Sequence, residues 1–260
     1  MELPFYQVDA FSDHPFGGNP AGVVLLEAPL PDETLQAIAA ENNLSETAFL
    51  HTQDPRLPLR WFTPVAEVDL CGHATLATAY VLFHHEGWSQ KTITFHSPSG
   101  PLTVQRRQDL LTMDLPAWPP SPCPFPPGLA AAIGGEPLQV YRARDHLLLF
   151  EREEQVARLE PQHEKLAAID AFAFIATAPG REVDFVSRFF APRAGIPEDP
   201  VTGSAHCTLT PFWAERLGKT TLHARQISPR GGALTCETSG DRVLLSGRAA
   251  LYLKGTIRIT

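Results

Sequence analysis

An α+β fold made of two strand-rich halves, with one or two helices in each, is predicted for this chain of 260 residues. Three observations favour it. Strand patterns outnumber helical ones, a proline-rich segment divides the chain near its middle, and one sequence pattern occurs once in each half. Elements with an apolar face must bury it against another layer, and this mixture of elements is typical of α+β domains.

The first half alternates strands and helices. A helix is predicted over 31–43, because Pro and Asp stand at its start and Leu35, Ile38 and Ala39 follow at helical spacing. A second helix is predicted over 73–85. Apolar or alternating runs bounded by Gly and Pro predict strands over 5–11, 21–27, 44–50 and 59–64, and further strand and turn material over 91–116.

The segment PAWPPSPCPFPPG, residues 116–128, is predicted to be an extended crossover between the halves. Each proline removes a backbone donor and fixes φ, which excludes a helix or a central strand. We therefore divide the chain into a first half over 1–117, the crossover over 118–128 and a second half over 129–260. The last strand is free to return to the first half.

The second half is also rich in strand patterns. Helices are predicted near 154–168 and 204–217. Pro211 conflicts with the second of these helices, because a proline inside a helix removes a backbone hydrogen bond. Strands are predicted over 138–151, 171–179, 183–192 and 233–259.

An internal repeat supports the division into halves. Segments that begin at Arg60 and Arg188 both run aromatic strand, proline, acidic loop, glycine, helix and glycine. A helix start presents unpaired N–H groups and a partial positive charge. Two glycine-led starts that face each other across a cleft would bind a small carboxylate without Lys or Arg. The identities pair Arg60, Phe62, Pro64, Gly72, Ala74 and Gly87 with Arg188, Phe190, Pro192, Gly203, Ala205 and Gly218.

Glu46 stands on the face of a predicted strand that carries aliphatic side chains. In the stretch LSETAFL it shares one face with Leu44, Ala48 and Leu50. An ionised carboxylate there is costly unless something compensates. A neighbouring Arg or Lys could pair with it, or the strand period could differ. We expect instead that burial controls the protonation of Glu46, as a general acid or base requires.

Composition excludes several classes of protein. The net charge of −8, with no run of Lys or Arg, argues against a nucleic-acid partner. No apolar stretch reaches the roughly 18 residues that a membrane span needs, and the N-terminus lacks the pattern of a secretion signal. Four cysteines without CxxC spacing indicate reduced thiols and a cytoplasmic protein.

Four collinear blocks carry a resemblance to a known family. They are VDAFSDHPFGGNPAGVV, NNLSETAFL, RWFTPVAEVDLCGHATLATA and FFAPRAGIPEDPVTGSAH. Together they resemble the PhzF-like family, which is named for a phenazine-biosynthesis isomerase and shares the fold of diaminopimelate epimerase. The resemblance implies two pseudo-symmetric halves, each wrapped around a central helix, with the active site in the cleft between them. It also implies a homodimer.

The resemblance further implies roles for individual residues. Glu46 matches the catalytic acid/base, and His73 and Asp199 match further catalytic polar residues. At a helix start we expect the His73 ring to stay neutral and donate a hydrogen bond. The residues implied in substrate binding are Asn19, Ser45, Gly72, Thr202, Gly203 and Ser204.

The expected activity is that of an isomerase that moves a proton on a small cyclic or amino-acid-like carboxylate, without metal or cofactor. Two alternatives stay open. In diaminopimelate epimerase and proline racemase a cysteine stands at each helix start, so Cys71 and a second base could support an epimerase or racemase, although Thr202 occupies the second position here. The chain could also be a non-catalytic small-molecule binding protein of the same fold.

Overall fold

A computed structural model describes residues 1–259, and it confirms the predicted α+β class. The chain forms two compact units. Unit 1 comprises residues 1–114 together with the chain from Ser246 onward, and unit 2 comprises Leu115–Leu245. The final strand therefore belongs with the first residues of the chain.

The elements are numbered in chain order. The helices are α1 Asp32–Asn42, α2 Gly72–His84, α3 Leu129–Ile133, α4 Glu153–Ala157, α5 His163–Ala168 and α6 Gly203–Leu217, with a 3₁₀ turn at Pro192–Ala194. The strands are β1 Glu2–Ala10, β2 Asn19–Leu26, β3 Glu46–His51, β4 Leu59–Phe62, β5 Glu67–Val68, β6 Thr92–Ser97, β7 Gly100–Arg107, β8 Leu110–Pro116, β9 Ser121–Pro122, β10 Gln139–Arg142, β11 His146–Leu149, β12 Phe174–Pro179, β13 Phe185–Ala191, β14 Ile196–Asp199, β15 Thr221–Gln226, β16 Gly232–Ser239, β17 Arg242–Gly247 and β18 Ala249–Arg258.

Unit 1 contains a sheet in the order β18-β1-β2-β3-β4-β5. Strand β1 is antiparallel to both β18 and β2, whereas β2 and β3 run parallel and are joined by α1, as a parallel pair requires. Helix α2 packs on this sheet and is buried along almost its whole length. A helix that is apolar on all sides belongs to the core of a protein. The packing of α2 therefore holds the first residues of the helix in a fixed position.

Unit 2 contains strands in the order β16-β15-β13-β12-β11-β10-β9, with β14 paired to β13. The prediction of one helix over 154–168 is wrong, because α4 and α5 are separate. Pro161 disfavours the helical conformation at the residue before it. The Arg188 guanidinium also binds the carbonyl oxygens of Val156 (3.2 Å) and Leu159 (2.9 Å), which lie at the end of α4 and just beyond it.

Helix α6 continues through Pro211, so the conflict seen in the sequence does not shorten the helix. Proline cannot donate to the carbonyl four residues earlier, which belongs to Cys207. The backbone N–H of Trp118 supplies that hydrogen bond instead, at 2.8 Å. The crossover segment thus completes the helix that the proline would otherwise weaken.

The internal repeat is present in the geometry of each unit. In unit 1 Arg60 pairs with Glu67 on the short return strand β5 at 2.6 Å, and in unit 2 Arg188 pairs with Glu198 on β14 at 2.7 Å. Each guanidinium also lies over the phenylalanine two residues later, at 5.1 Å and 5.0 Å from the ring centroid. The prediction of two pseudo-symmetric halves around α2 and α6 is confirmed.

Within residues 1–259, no helix is both long enough and apolar enough to span a membrane.

Candidate active site

The start of α2 carries the first group of predicted site residues. Cys71 is the residue before the helix, with extended backbone angles of φ −137° and ψ 107°, and Gly72 is its first residue. The Cys71 side chain does not cap the helix; the hydroxyl of Thr75 instead donates to the Cys71 carbonyl oxygen at 2.6 Å. Gly72 adds no Cβ atom beside the first-turn N–H groups, which have no partners within the helix itself.

Glu46 is buried, as predicted, with 8% of its surface exposed. It opens β3, whose register sets it beside Ala21 of β2. Both faces of β3 are buried from Glu46 to Leu50, so the expected alternation of buried and exposed residues is absent there. The carboxylate oxygen Oε2 lies 3.1 Å from Nε2 of His73. The charge partner is therefore a histidine and not the Arg or Lys considered from the sequence.

His73 connects the residues of this group. Its Nδ1 lies 3.2 Å from Nδ2 of Asn19 and 3.5 Å from Sγ of Cys71. Burial opposes a charge on the ring, but the hydrogen bond to the Cys71 sulfur and the charge of Glu46 outweigh it and raise the pKa of His73 well above 6.5. The direction of this shift contradicts the expectation of a neutral ring, because the Glu46 carboxylate at 3.1 Å favours the charged form. A charged ring donates from Nδ1 to the Asn19 amide oxygen once that amide is rotated by half a turn.

Asn19 owes its position to the glycine before it. Gly18 has φ +62°, and a Cβ atom at that residue would lie 2.1 Å from the carbonyl oxygen of Ala10. Only glycine fits both conditions. The GGNP motif therefore lets β2 begin close to β1, which leaves Asn19 fully buried against His73.

Cys71 is a thiol at neutral pH. Burial and the charge of Glu46 raise its pKa to about 11. Its sulfur can donate a proton or accept a weak hydrogen bond, but it is not a thiolate base under these conditions.

The start of α6 carries the second group, in unit 2. The Thr202 hydroxyl donates to Oδ2 of Asp199. Gln226, fully buried on β15, accepts from the backbone N–H of Thr202 at 2.9 Å and donates to the Asp199 carbonyl oxygen at 2.7 Å. Gly203 is buried in the first turn, and Ser204 is half-buried beside it.

Two residues of this group were not predicted from the sequence. Gln226 follows Leu222 and Ala224 on the buried face of β15, which is the same signal that singled out Glu46. Arg144 donates from Nη2 to Oγ of Ser204 at 3.2 Å, and the buried Asp145 holds the guanidinium. No local pattern marks Arg144, since it lies 60 residues before Ser204.

His206, in the second turn of α6, is held neutral. It is fully buried, and its Nδ1–H donates to the Thr202 carbonyl oxygen at 2.8 Å. Burial lowers its pKa to about 4. These contacts give His206 a structural role and leave it no exposed edge with which to activate Ser204.

We expect acid to destabilise unit 2 through His206. Between pH 6.5 and about 4 the unfolded chain binds a proton that the folded chain excludes, so the free energy of unfolding falls as pH falls through this range. The loss is at most about 3 kcal/mol. Urea titrations of the wild type and of His206→Gln across this range measure it. A variant with an unchanged pH dependence would contradict the assignment.

The structure thus gathers the predicted residues in two groups. Unit 1 brings Asn19, Glu46 and Cys71 into contact with His73, with Ser45 half-buried next to Glu46 and Gly72 next to His73. Unit 2 brings together Asp199, Thr202, Gly203 and Ser204.

Comparisons with known proteins agree with this architecture. The profile of the PhzC-PhzF family, described as phenazine biosynthesis-like protein, matches residues 8–255. An uncharacterized isomerase of Pseudomonas aeruginosa is 51% identical over 259 residues, which cover 100% of both chains.

Solved structures place the fold in the same group. A crystal structure of a phenazine biosynthesis protein of the PhzF family from Enterococcus faecalis has a TM-score of 0.97 and 48% identity over 100% of both chains. A hydroxyproline epimerase from Agrobacterium vitis, solved with bound trans-4-hydroxy-L-proline, has a TM-score of 0.63 at 11% identity, over 98% of this chain and 92% of that one. The second similarity concerns the fold alone.

Proposed function

We propose a proton-transfer reaction on a small carboxylate for this chain, which belongs to the PhzC-PhzF family of phenazine biosynthesis-like proteins and to its isomerase-type members. One observation carries the proposal. A buried glutamate, Glu46, stands with its carboxylate beside a histidine at a glycine-led helix start.

Glu46 is the proton carrier in this proposal. Its carboxylate takes a proton from a carbon of the ligand and returns it to another carbon, so that a double bond moves and no net proton is consumed. One group suffices when both transfers occur on the same face of the ligand. Burial supports this role because a carboxylate with only 8% of its surface exposed can hold the proton between the two transfers, while its remaining contact with water lets that proton exchange with solvent in part of the turnovers.

His73 and Asn19 position the carrier. The raised pKa of His73 favours a charged ring, which balances the Glu46 carboxylate at 3.1 Å and orients it. Asn19 holds the opposite edge of the ring at 3.2 Å. Ser45 and Gly72 are proposed to contact the ligand, since each adjoins one of the charged residues.

The group in unit 2 is proposed to bind the carboxylate. The first turn of α6 offers backbone N–H groups at Gly203 and Ser204. Asp199 is proposed to act as a polar partner of the ligand, with Thr202 and Gln226 fixing it. Arg144 beside Ser204 adds a positive charge, which the sequence-based scheme did not include.

We propose that this chemistry needs neither metal nor coenzyme, because the electron pair that the proton leaves behind on carbon is delocalised into the ligand's own conjugated carboxylate. The second candidate is an epimerase or racemase that uses Cys71 and a second base, and the fold shared with hydroxyproline epimerase favours it.

The short distance between Glu46 and Cys71 argues against Glu46 as the second base of an epimerase. Two bases on opposite faces of one carbon, each in contact at roughly 3–3.5 Å, lie about 6–7 Å apart. The donor atoms of Glu46, Cys71 and His73 all lie within 4.8 Å of one another. Glu46 and Cys71 therefore favour a reaction on one face.

Solvent exchange tests the proposal. In D₂O the protein is expected to incorporate deuterium into a cyclic-diene or amino-acid-like carboxylate drawn from a panel, as followed by NMR and mass spectrometry. Cys71→Ser should retain exchange to within about tenfold, because in this scheme the Cys71 thiol transfers no proton to or from the ligand. Loss of exchange in Cys71→Ser with intact folding would favour the epimerase. Ligand binding without exchange would favour a non-catalytic binding protein.

The surroundings of the reaction are also proposed. We propose a homodimer, which the exposed outer strand β18 with Tyr252 and Leu253 favours. The cytoplasm is the proposed compartment, because the cysteine spacing is that of reduced thiols. Nucleic acid and membrane are not proposed partners, since the net charge is −8 and no basic run is present.

A further inference from the structure

We propose that Glu46, Cys71 and His73 bind one thiophilic divalent ion of the Zn²⁺ class, and that this ion switches proton transfer off. The switching half of the proposal rests on the proposed function of Glu46. The binding half stands on the geometry of the three side chains alone.

The three donor atoms already have nearly the spacing of a zinc site. They all lie within 4.8 Å of one another. Nε2 of His73 is 3.1 Å from Oε2 of Glu46 and 4.0 Å from Sγ of Cys71. Around a tetrahedral Zn²⁺ such donors are ~3.4–3.6 Å apart, so side-chain shifts of about 1 Å complete three ligands and leave a fourth position open.

The chemistry of the donors selects the ion. A thiolate sulfur, a neutral imidazole nitrogen and a carboxylate oxygen suit Zn²⁺ or Co²⁺, whereas Mg²⁺ and Ca²⁺ prefer oxygen ligands throughout. Metal binding therefore releases the Cys71 thiol proton and the Nε2 proton of His73 to solvent. Oε2 of Glu46 is buried and lies 3.1 Å from Nε2 of His73 as an ion pair, but within residues 1–259 it has no hydrogen bond of good geometry. A cation at this point would satisfy that oxygen.

The surroundings of His73 also suit a metal ligand. A ligating histidine usually donates its other ring N–H to a fixed acceptor, which orients the ring. Nδ1 of His73 faces the side-chain amide of the buried Asn19 at 3.2 Å. The amide provides the acceptor oxygen after rotation by half a turn. Glu46 comes from the start of β3, and Cys71 and His73 from the start of α2, so secondary structure fixes all three.

The second copy of the repeat lacks this donor set. Thr202 and Ser204 stand where unit 1 has Cys71 and His73, and hydroxyl groups are poor ligands for Zn²⁺. The site therefore belongs to unit 1 alone. A metal on Oε2 occupies the electron pair that must accept the substrate proton, which is why we expect inhibition.

Cobalt titration of the chelator-treated full chain tests binding without reference to activity. One equivalent of Co²⁺ should produce the visible absorption of a tetrahedral site and a sulfur-to-cobalt charge-transfer band, which Zn²⁺ then removes. Cys71→Ala should lose the charge-transfer band and weaken Co²⁺ binding by at least about tenfold. Cys123→Ala changes a free thiol of unit 2 and is the matched control, expected to behave as the wild type.

Each other outcome contradicts part of the proposal. A wild type without the charge-transfer band, a band that survives in Cys71→Ala, or a band that Cys123→Ala abolishes overturns the site. One equivalent of Zn²⁺ should abolish solvent exchange and a chelator should restore it; faster exchange with Zn²⁺ overturns the switch. Metal binding without any solvent exchange in the metal-free protein refutes the proposed function but supports the metal site. Solvent exchange without metal binding refutes the metal site but supports the proposed function.

Discussion

Glu46→Gln is expected to lower the rate of solvent-proton exchange into the ligand by about a thousandfold, within the range that a general acid or base contributes. The amide has nearly the shape of the carboxylate but cannot accept and return a proton near neutral pH. The fold should remain, because Gln fills the same space at the start of β3 and can still contact His73. Deuterium incorporation measured for wild type and variant on the same carboxylate gives the ratio of rates.

A matched control comes from a carboxylate in the same unit. Glu27 follows β2 and is exposed, so Glu27→Gln makes the same change of charge without touching the site. It should exchange at the wild-type rate. Near-normal exchange in Glu46→Gln would remove the glutamate from the mechanism. Equal losses in both variants would show that net charge, and not the carrier, is responsible.

Gly18→Ala is expected to reduce the free energy of unfolding by about 4 kcal/mol, among the largest effects of single substitutions. The added Cβ would lie 2.1 Å from the carbonyl oxygen of Ala10, and the backbone at φ +62° already disfavours any L side chain. Relief requires β2 to move away from β1, which displaces Asn19 from His73. Urea unfolding measures the loss, and exchange activity should fall with it.

Gly87→Ala separates the steric clash from the penalty of a positive φ. Gly87 has φ +69°, yet a Cβ there meets nothing within 4 Å. The substitution therefore carries only the backbone penalty, roughly 1–2 kcal/mol. The difference between the two variants isolates the steric clash with Ala10. If Gly18→Ala unfolds at the same urea concentration as Gly87→Ala, the close approach of the two strands is not what requires glycine.

Much of the fold follows from local patterns in the sequence. Alternating and apolar runs predicted the strands β1, β2, β3 and β12, and helical spacing after a Pro–Asp start predicted α1. Each of these signals lies within about ten consecutive residues of the sequence. The single helix over 154–168 was wrong for one local and one non-local reason. Pro161 lies inside the segment and disfavours a helical conformation at the residue before it. The interruption also depends on Arg188, a residue of a distant strand whose guanidinium binds two backbone carbonyl oxygens.

The site residues also divide into those with a local signal in the sequence and those without one. Glu46 was predicted because a charged side chain conflicts with the apolar neighbours on the same face of its strand. Gln226 is a polar residue in the same position on β15, and the same signal would have found it. Arg144 could not be found, since only the tertiary fold brings it to Ser204. The charge state of His73 was misjudged because it depends on which groups face the ring, and these come from β3 and from the residue before α2.

The pairing of β1 with β18 has a consequence for truncation. The two strands pair from Glu2 opposite Arg258 to Ala10 opposite Ala249, although they lie far apart in the sequence. Unit 2, by contrast, is one continuous segment, Leu115–Leu245. Removal of β18 would leave the segment of unit 2 uncut and would expose the backbone N–H and C=O groups along one edge of β1. An unpaired strand edge is a template for pairing with another chain, so we expect the shortened protein to self-associate through β1.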